Sequence, residues 1–229
     1  VTGFTPTDIV VTNATISNLQ TTNNISYTVL VTPIADGSLS IQIPAGVAVN
    51  IGNNNNTASN TLNIVVDVSG PVITSVNVPT DGVYKGGQQL NFIVNYSENV
   101  ILNTTAGIPS LNIVVDGVNR SAIYYSGTGS NSLIFRYTIV TGDLDLNGIA
   151  LGAHIVLNSA TIRDAGGNNA NLALNAVGST TNVLVDAVAP AIPASFTATA
   201  GNAKNSLTWL ENTENDIDSY KIYAGTANN

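Results

Sequence analysis

Along most of the chain, apolar side chains recur at every second position. Leu39, Ile41 and Ile43 are spaced by Ser40 and Gln42. Leu90, Phe92, Val94 and Tyr96 form a second stripe, Leu111, Ile113 and Val115 a third, and Leu133, Phe135, Tyr137 and Ile139 a fourth. Successive side chains of an extended strand point to opposite faces, so this period suits half-buried strands and no helix. Turn formers stand between the stripes: Asp36-Gly37, Asp81-Gly82, Lys85-Gly86-Gly87, Asp116-Gly117 and Ser126-Gly127-Thr128-Gly129. Short strands at this spacing predict an all-β chain of packed sheets. Only 9% of residues are charged, so Asn, Thr, Ser and Gly must carry the polar surface, and these favour turns over helices.

A repeat divides the chain. Asn63-Ile64-Val65-Val66-Asp67, followed after three residues by Pro71, recurs as Asn182-Val183-Leu184-Val185-Asp186 and Pro190. Proline fixes φ and removes a donor, so strand pairing ends there and a stiff joint follows. Upstream of each copy is a Gly/Asn-rich loop, Asn50-Ile51-Gly52-Asn53 in one case and Asp164-Ala165-Gly166-Gly167-Asn168 in the other. Boundaries are therefore expected near 68 and 188, giving units 1–67, 68–187 and 188–229.

The middle unit carries Val78-Pro79-Thr80-Asp81-Gly82-Val83-Tyr84, Tyr96-Ser97-Glu98-Asn99-Val100, Leu133-Ile134-Phe135-Arg136-Tyr137-Thr138 and Ile162-Arg163-Asp164-Ala165-Gly166-Gly167-Asn168. In these it resembles a bacterial Ig-like repeat found in tandem in giant surface proteins and adhesins. Residues 1–67 resemble the later part of a second kind of bacterial Ig-like repeat, with Val1-Thr2-Gly3-Phe4 reading like the text after a Ser-Glu-Asn strand end. Residues 188–229 resemble the front of a fibronectin type III domain through Ser206-Leu207-Thr208-Trp209 and Asp216-Ile217-Asp218-Ser219-Tyr220. The resemblance implies tandem immunoglobulin-like β-sandwiches, one complete between two partial ones, from a large extracellular protein on a Gram-negative cell surface, gliding adhesins included. It also implies partners: neighbouring domains of the same chain, glycans or proteins met through other domains, and strands added from another chain at incomplete ends.

Charge and chemistry narrow the function. The net charge is −8 and the six basic residues are scattered; nucleic acid and anionic membranes need a clustered basic footprint, so neither is expected as a partner. There is no cysteine, which removes disulfides and thiolate sites. No apolar run is long enough to span a bilayer and no signal peptide opens the sequence, so an internal piece of something larger is expected. There is one histidine, His154, and no Gly-x-Ser-x-Gly; the glutamates are Glu98, Glu211 and Glu214 alone. With no triad and no pair of carboxylates placed to flank a cleft, the chain is expected not to be an enzyme.

The residue types that remain suit calcium. Asp143, Asp145 and Asn147 alternate before Gly148, which matches the start of a calcium loop, where oxygen ligands on alternate residues converge on one point. His154 stands at the twelfth position, where an EF-hand needs a bidentate acid, so the loop is not an EF-hand. The alternative reading is a solvated Asx turn between strands. A weaker set lies at the joints: Asp67 and Asp186 end the repeated strands, with Asp81 and Asp164 at the ends of the same unit, as in calcium-stiffened cadherin-like stalks. The alternative there is turn capping, and Asn50 in place of Asp164 predicts that the joints differ. For glycans, Trp209 matches a core tryptophan, whereas Tyr124 and Tyr125 are adjacent on a strand and one must face outward. Three roles follow: a structural spacer or stalk in a bacterial adhesin, a glycan- or protein-binding module, or accessory domains of a secreted polysaccharide-degrading enzyme.

Overall fold

A computed structural model of the chain describes residues 3–214 and 217–223; Val1, Thr2 and Asp216 of the quoted motifs lie outside the described residues. The first unit opens with a 3₁₀ turn at Pro6–Asp8, then β1 (Val10–Thr12), β2 (Ala14–Thr21), β3 (Tyr27–Pro33), β4 (Gly37–Gln42) and β5 (Leu62–Val66). β1, β4 and β5 form one antiparallel sheet in that order, and β2 and β3 form a hairpin. Its buried apolar residues are Ile9, Ala14 and Leu39, while Leu62 and Ile64 on β5 remain 50% and 43% exposed.

The middle unit holds β6 (Ile73–Asn77), β7 (Gly82–Tyr84), β8 (Gln89–Asn103), β9 (Ser110–Val115), β10 (Val118–Ser126), β11 (Ser130–Thr138), β12 (Leu144–Asp145), β13 (Ala150–Val156), β14 (Thr161–Arg163) and β15 (Val183–Asp186). One sheet runs β13-β9-β10-β11-β8, with β6 and β14 pairing successive stretches of β8, and a small sheet runs β12-β15-β7. The stripes read from the sequence form the core between them. Leu90, Phe92, Val94, Ile113, Leu133 and Phe135 are wholly buried, and Val183 and Val185 meet them from β15.

Residues 164–182 contain no named strand, yet they close the sandwich as a strap. Ile155 N–H donates to Leu172 O and Leu174 N–H to Ala153 O, which covers the outer edge of β13. Val76 N–H donates to Ala176 O and Gly178 N–H to Val76 O, which covers β6. Unpaired strand edges invite association with other chains, and this strap removes the two long ones. The third unit shows a hairpin, β16 (Ala194–Gly201) with β17 (Lys204–Leu210). Trp209 is half-buried there, between Phe196 and Tyr220 at ring-centroid distances of 6.4 and 5.5 Å.

Candidate functional site

The linker between the first two units is held from both sides. Asp36, in the turn before β4, accepts the N–H groups of Val68 and Ser69 on Oδ1 at 2.7 and 3.0 Å. From the middle unit, Asn168 Nδ2 donates to Asp67 O at 3.2 Å and Asn171 N–H to Pro71 O at 2.8 Å. Gly70 passes so close to the strap that an added Cβ would lie 2.0 Å from Asn169 O. Glycine is required there by space, not by φ.

Three carboxylates meet at this joint. Asp67, Glu98 and Asp164 each offer an oxygen, and the three oxygens lie within 4.8 Å of one another. Asp67 is exposed at the end of β5. Glu98 lies on β8, two residues beyond Tyr96 and on the same core-facing side, and is half-buried. Asp164 follows β14 and is buried. Among the described residues no basic side chain pairs with the cluster: Arg163, next to Asp164, turns its Nε to Asn169 Oδ1 at 2.9 Å, and the ion pair that is found lies elsewhere, between Arg120 and Asp143. Burial, then the charges of Asp67, Asp164 and Asp36, push the Glu98 carboxyl above its ordinary pKa. Asp164 goes the other way. Burial raises it, but bonds from the Asn168 side chain and from the N–H groups of Asn168, Gly167 and Gly166 outweigh that and hold its pKa below the ordinary value. Hard oxygens clustered in an irregular site suit Ca²⁺, which takes six to eight at 2.3–2.6 Å without strict geometry; Mg²⁺ demands a near-ideal octahedron.

The turn that presents Asp164 has a twin in the first unit. Asp164 N–H donates to Asn168 O at 3.1 Å and Asn168 N–H to Asp164 Oδ1 at 2.8 Å. In the first unit, Asn50 N–H donates to Asn54 O at 3.0 Å and Asn54 N–H to Asn50 Oδ1, also at 3.0 Å. The fourth residue has positive φ in both, +91° at Gly167 and +59° at Asn53. One five-residue turn is thus built twice, with a carboxylate in one copy and an amide in the other.

The remaining sequence candidates are placed apart from this cluster. Asp143 is buried and its carboxylate is taken by protein donors: Arg120 Nε and Nη2 on Oδ1 at 2.9 and 2.6 Å, and Tyr137 Oη and Val140 N–H on Oδ2. Asp145 is also buried and accepts Asp116 N–H at 2.7 Å and Asn147 N–H at 3.2 Å. The loop 143–148 therefore turns its acids inward to a guanidinium, a phenol and amides, and Asn147 contributes its backbone. Asp81 accepts Asn182 Nδ2 at 3.0 Å, and Asp186 accepts Val188 N–H at 3.2 Å. β15 runs parallel to β7, with Val183 opposite Gly82 and Val185 opposite Tyr84, so Asp81 and Asp186 lie at opposite ends of that pair. Of the adjacent tyrosines, Tyr124 packs edge-on to Phe135 at 6.2 Å and Tyr125 is 56% exposed.

Residues 1–66 match the family model of a bacterial Ig-like domain. Bacterial Ig-like domains are typical of surface proteins and occur in extracellular ones. No helix among the described residues is long and apolar enough to cross a membrane. No curated protein and no solved structure matches the chain.

Proposed function

We propose that the chain is a stretch of the stalk of a bacterial cell-surface adhesin, non-catalytic and exposed outside a Gram-negative cell. Its modules would space a distal binding domain, with calcium limiting the bend at the first joint. The observation that carries this reading is the convergence of Asp67, Glu98 and Asp164 from two modules onto one point, with no basic side chain paired to them among the described residues. Asp67 and Asp164 belong to the joint set read from the sequence; Glu98 completes it. A divalent ion there would tie the end of β5 to β8 and to the Asp164 turn, so binding and joint stiffness would be the same event. In the third unit, the aromatic packing of Trp209 supports the front of a fibronectin type III domain, and its neighbours in the parent chain would be its partners.

Calcium titration of the whole chain, by calorimetry and thermal melting, tests the metal. A ligand at a hundred times its Kd stabilises by about 2.7 kcal/mol, several degrees for a chain of this size. Asp164→Asn and Glu98→Gln should each abolish most of that gain. Asp164→Asn is the cleaner variant, because the twin turn at Asn50 already forms with an amide in that place. Without calcium, Glu98→Gln should raise the melting temperature by relieving repulsion. If calcium leaves melting and small-angle scattering unchanged while both variants melt higher than the parent, the metal reading is wrong.

A further inference from the structure

The outer face of the large sheet in the middle unit differs from the rest of the molecule. The chain has fourteen acidic residues, yet the strands β6, β9, β10, β11 and the first half of β8 (residues 89–96) contain none. Their outward positions carry amides, hydroxyls and aliphatics. Asn95 crosses the face, donating to Ser75 Oγ at 3.0 Å and accepting from Ser132 Oγ at 2.8 Å.

One cation stands on this face, and it is held in place. Arg136 lies in register between Ile123 on β10 and Asn91 on β8. Its Nε donates to Asn91 Oδ1 at 2.8 Å, and its guanidinium carbon sits 3.4 Å from the centroid of the Tyr125 ring. Stacking on one side and the Asn91 bond at Nε fix the plane of the fork. The two Nη groups have no protein partner among the described residues. A shallow hollow of about 260 Å³ opens beside them, lined by Ile123, Tyr124, Tyr125 and Thr138 with Arg136. Tyr125 and Ile123 are 56% and 54% exposed.

We propose that this face binds an acidic polysaccharide, with the Arg136 fork taking a sugar carboxylate and the surrounding amides and hydroxyls taking ring hydroxyls. A fixed guanidinium with free Nη groups matches a carboxylate bidentately. The absence of acids from these strands removes the repulsion that a polyanion meets elsewhere on a chain of net charge −8. A peptide would dock poorly here. β11 is paired on both sides, by β8 and β10, so no backbone edge is free for strand addition and recognition falls to side chains alone. This site is separate from the joint and independent of the metal.

The test is calorimetric titration of the whole chain, in chelator, with a hexamer of galacturonic acid. Maltohexaose serves as the neutral comparison and hexaglutamate as the peptide one. The uronate should bind and the other two should not. Arg136→Lys keeps the charge but loses the fork and should weaken binding at least tenfold; Tyr125→Ala should weaken it several-fold. Lys85→Gln, a charge lost in the turn before β8, should change nothing. Amide shift changes in the parent chain should map to β8, β10 and β11, a readout that does not depend on any variant folding. No uronate binding, equal binding of hexaglutamate or maltohexaose, full affinity in Arg136→Lys, or equal loss in Lys85→Gln would each overturn the assignment.

Discussion

Asp143 is a carboxylate whose side chain is fully buried beside a guanidinium that is 31% exposed. Burial by itself raises its pKa. Bonds from Tyr137, Arg120 and Val140 N–H, with the Arg120 charge, outweigh that and hold it below the ordinary value. An acid whose folded pKa is depressed stabilises the fold above its unfolded pKa, about 4 for aspartate, and loses that contribution as pH falls through the folded value. Removing one partner of a buried pair costs about 3–5 kcal/mol. Because Arg120 keeps contact with water, Asp143→Ala should sit near the lower limit, about 3 kcal/mol. In melts from pH 7 to pH 2, the gap between the parent and Asp143→Asn should close below about pH 4. The gap should be the same with calcium and with chelator, since the carboxylate is occupied by protein donors. Tyr96 is the converse case. Its hydroxyl is buried with no hydrogen-bond partner among the described residues, and burial pushes its pKa up. An unsatisfied buried polar group costs about 1–3 kcal/mol, so Tyr96→Phe should melt at or above the parent temperature.

At the scale of elements, the period-two stripes were legible because burial on one face leaves a direct trace in the residue order: Leu90 to Tyr96 and Leu133 to Ile139 are core as read. Glu98 had a signal too. It continues the stripe of β8, between Tyr96 and Val100 on the same side, and a carboxylate in register with core residues needs a reason. What carried no trace was partnership at a distance. Arg120 reaches Asp143 from 23 residues away, so an oxygen-rich loop and a buried ion pair share one text. The strap 164–182 left only a short trace: Ala170, Leu172 and Leu174 alternate and pack against the core, but its edge-covering bonds form isolated bridges instead of a strand. Its role is testable. Leu174→Pro removes the N–H that bonds Ala153 O and uncovers the edge of β13. Sedimentation should then show concentration-dependent self-association absent from the parent, with a lower melting temperature; a monomeric variant would refute the edge-covering role. In the 143–148 loop, Gly148 has φ +98° and an added Cβ would lie 2.4 Å from Thr181 O. Gly148→Ala therefore meets strain and a backbone clash together, and should destabilise the unit by more than the roughly 1 kcal/mol of an ordinary glycine replacement.

Over the whole chain the two joints are unlike, although the strands leading into them repeat. The first linker is bonded back to Asp36 in the unit before it and clasped by Asn168 and Asn171 in the unit after it. At the second, Ala187 bonds to Gly142 and Asp143 within the middle unit and Val188 N–H bonds to Asp186. Ala191 then bonds to Glu214 and Asn212 of the third. Among the described residues no hydrogen bond joins residues beyond 188 to the middle unit. Segments joined by a linker without cross-bonds or a shared core move independently by default. Backbone ¹⁵N relaxation on the whole chain should therefore give one rotational correlation time for the first two units and a shorter one for the third. Asp36→Ala should release the first unit and lower its correlation time, while two glycines inserted after Val188 should leave the third unit's value nearly unchanged. Equal correlation times in all three units would mean that the second joint is stiffened by contacts other than hydrogen bonds. On the stalk reading proposed above, the first joint would carry force as one body and the second would act as a swivel.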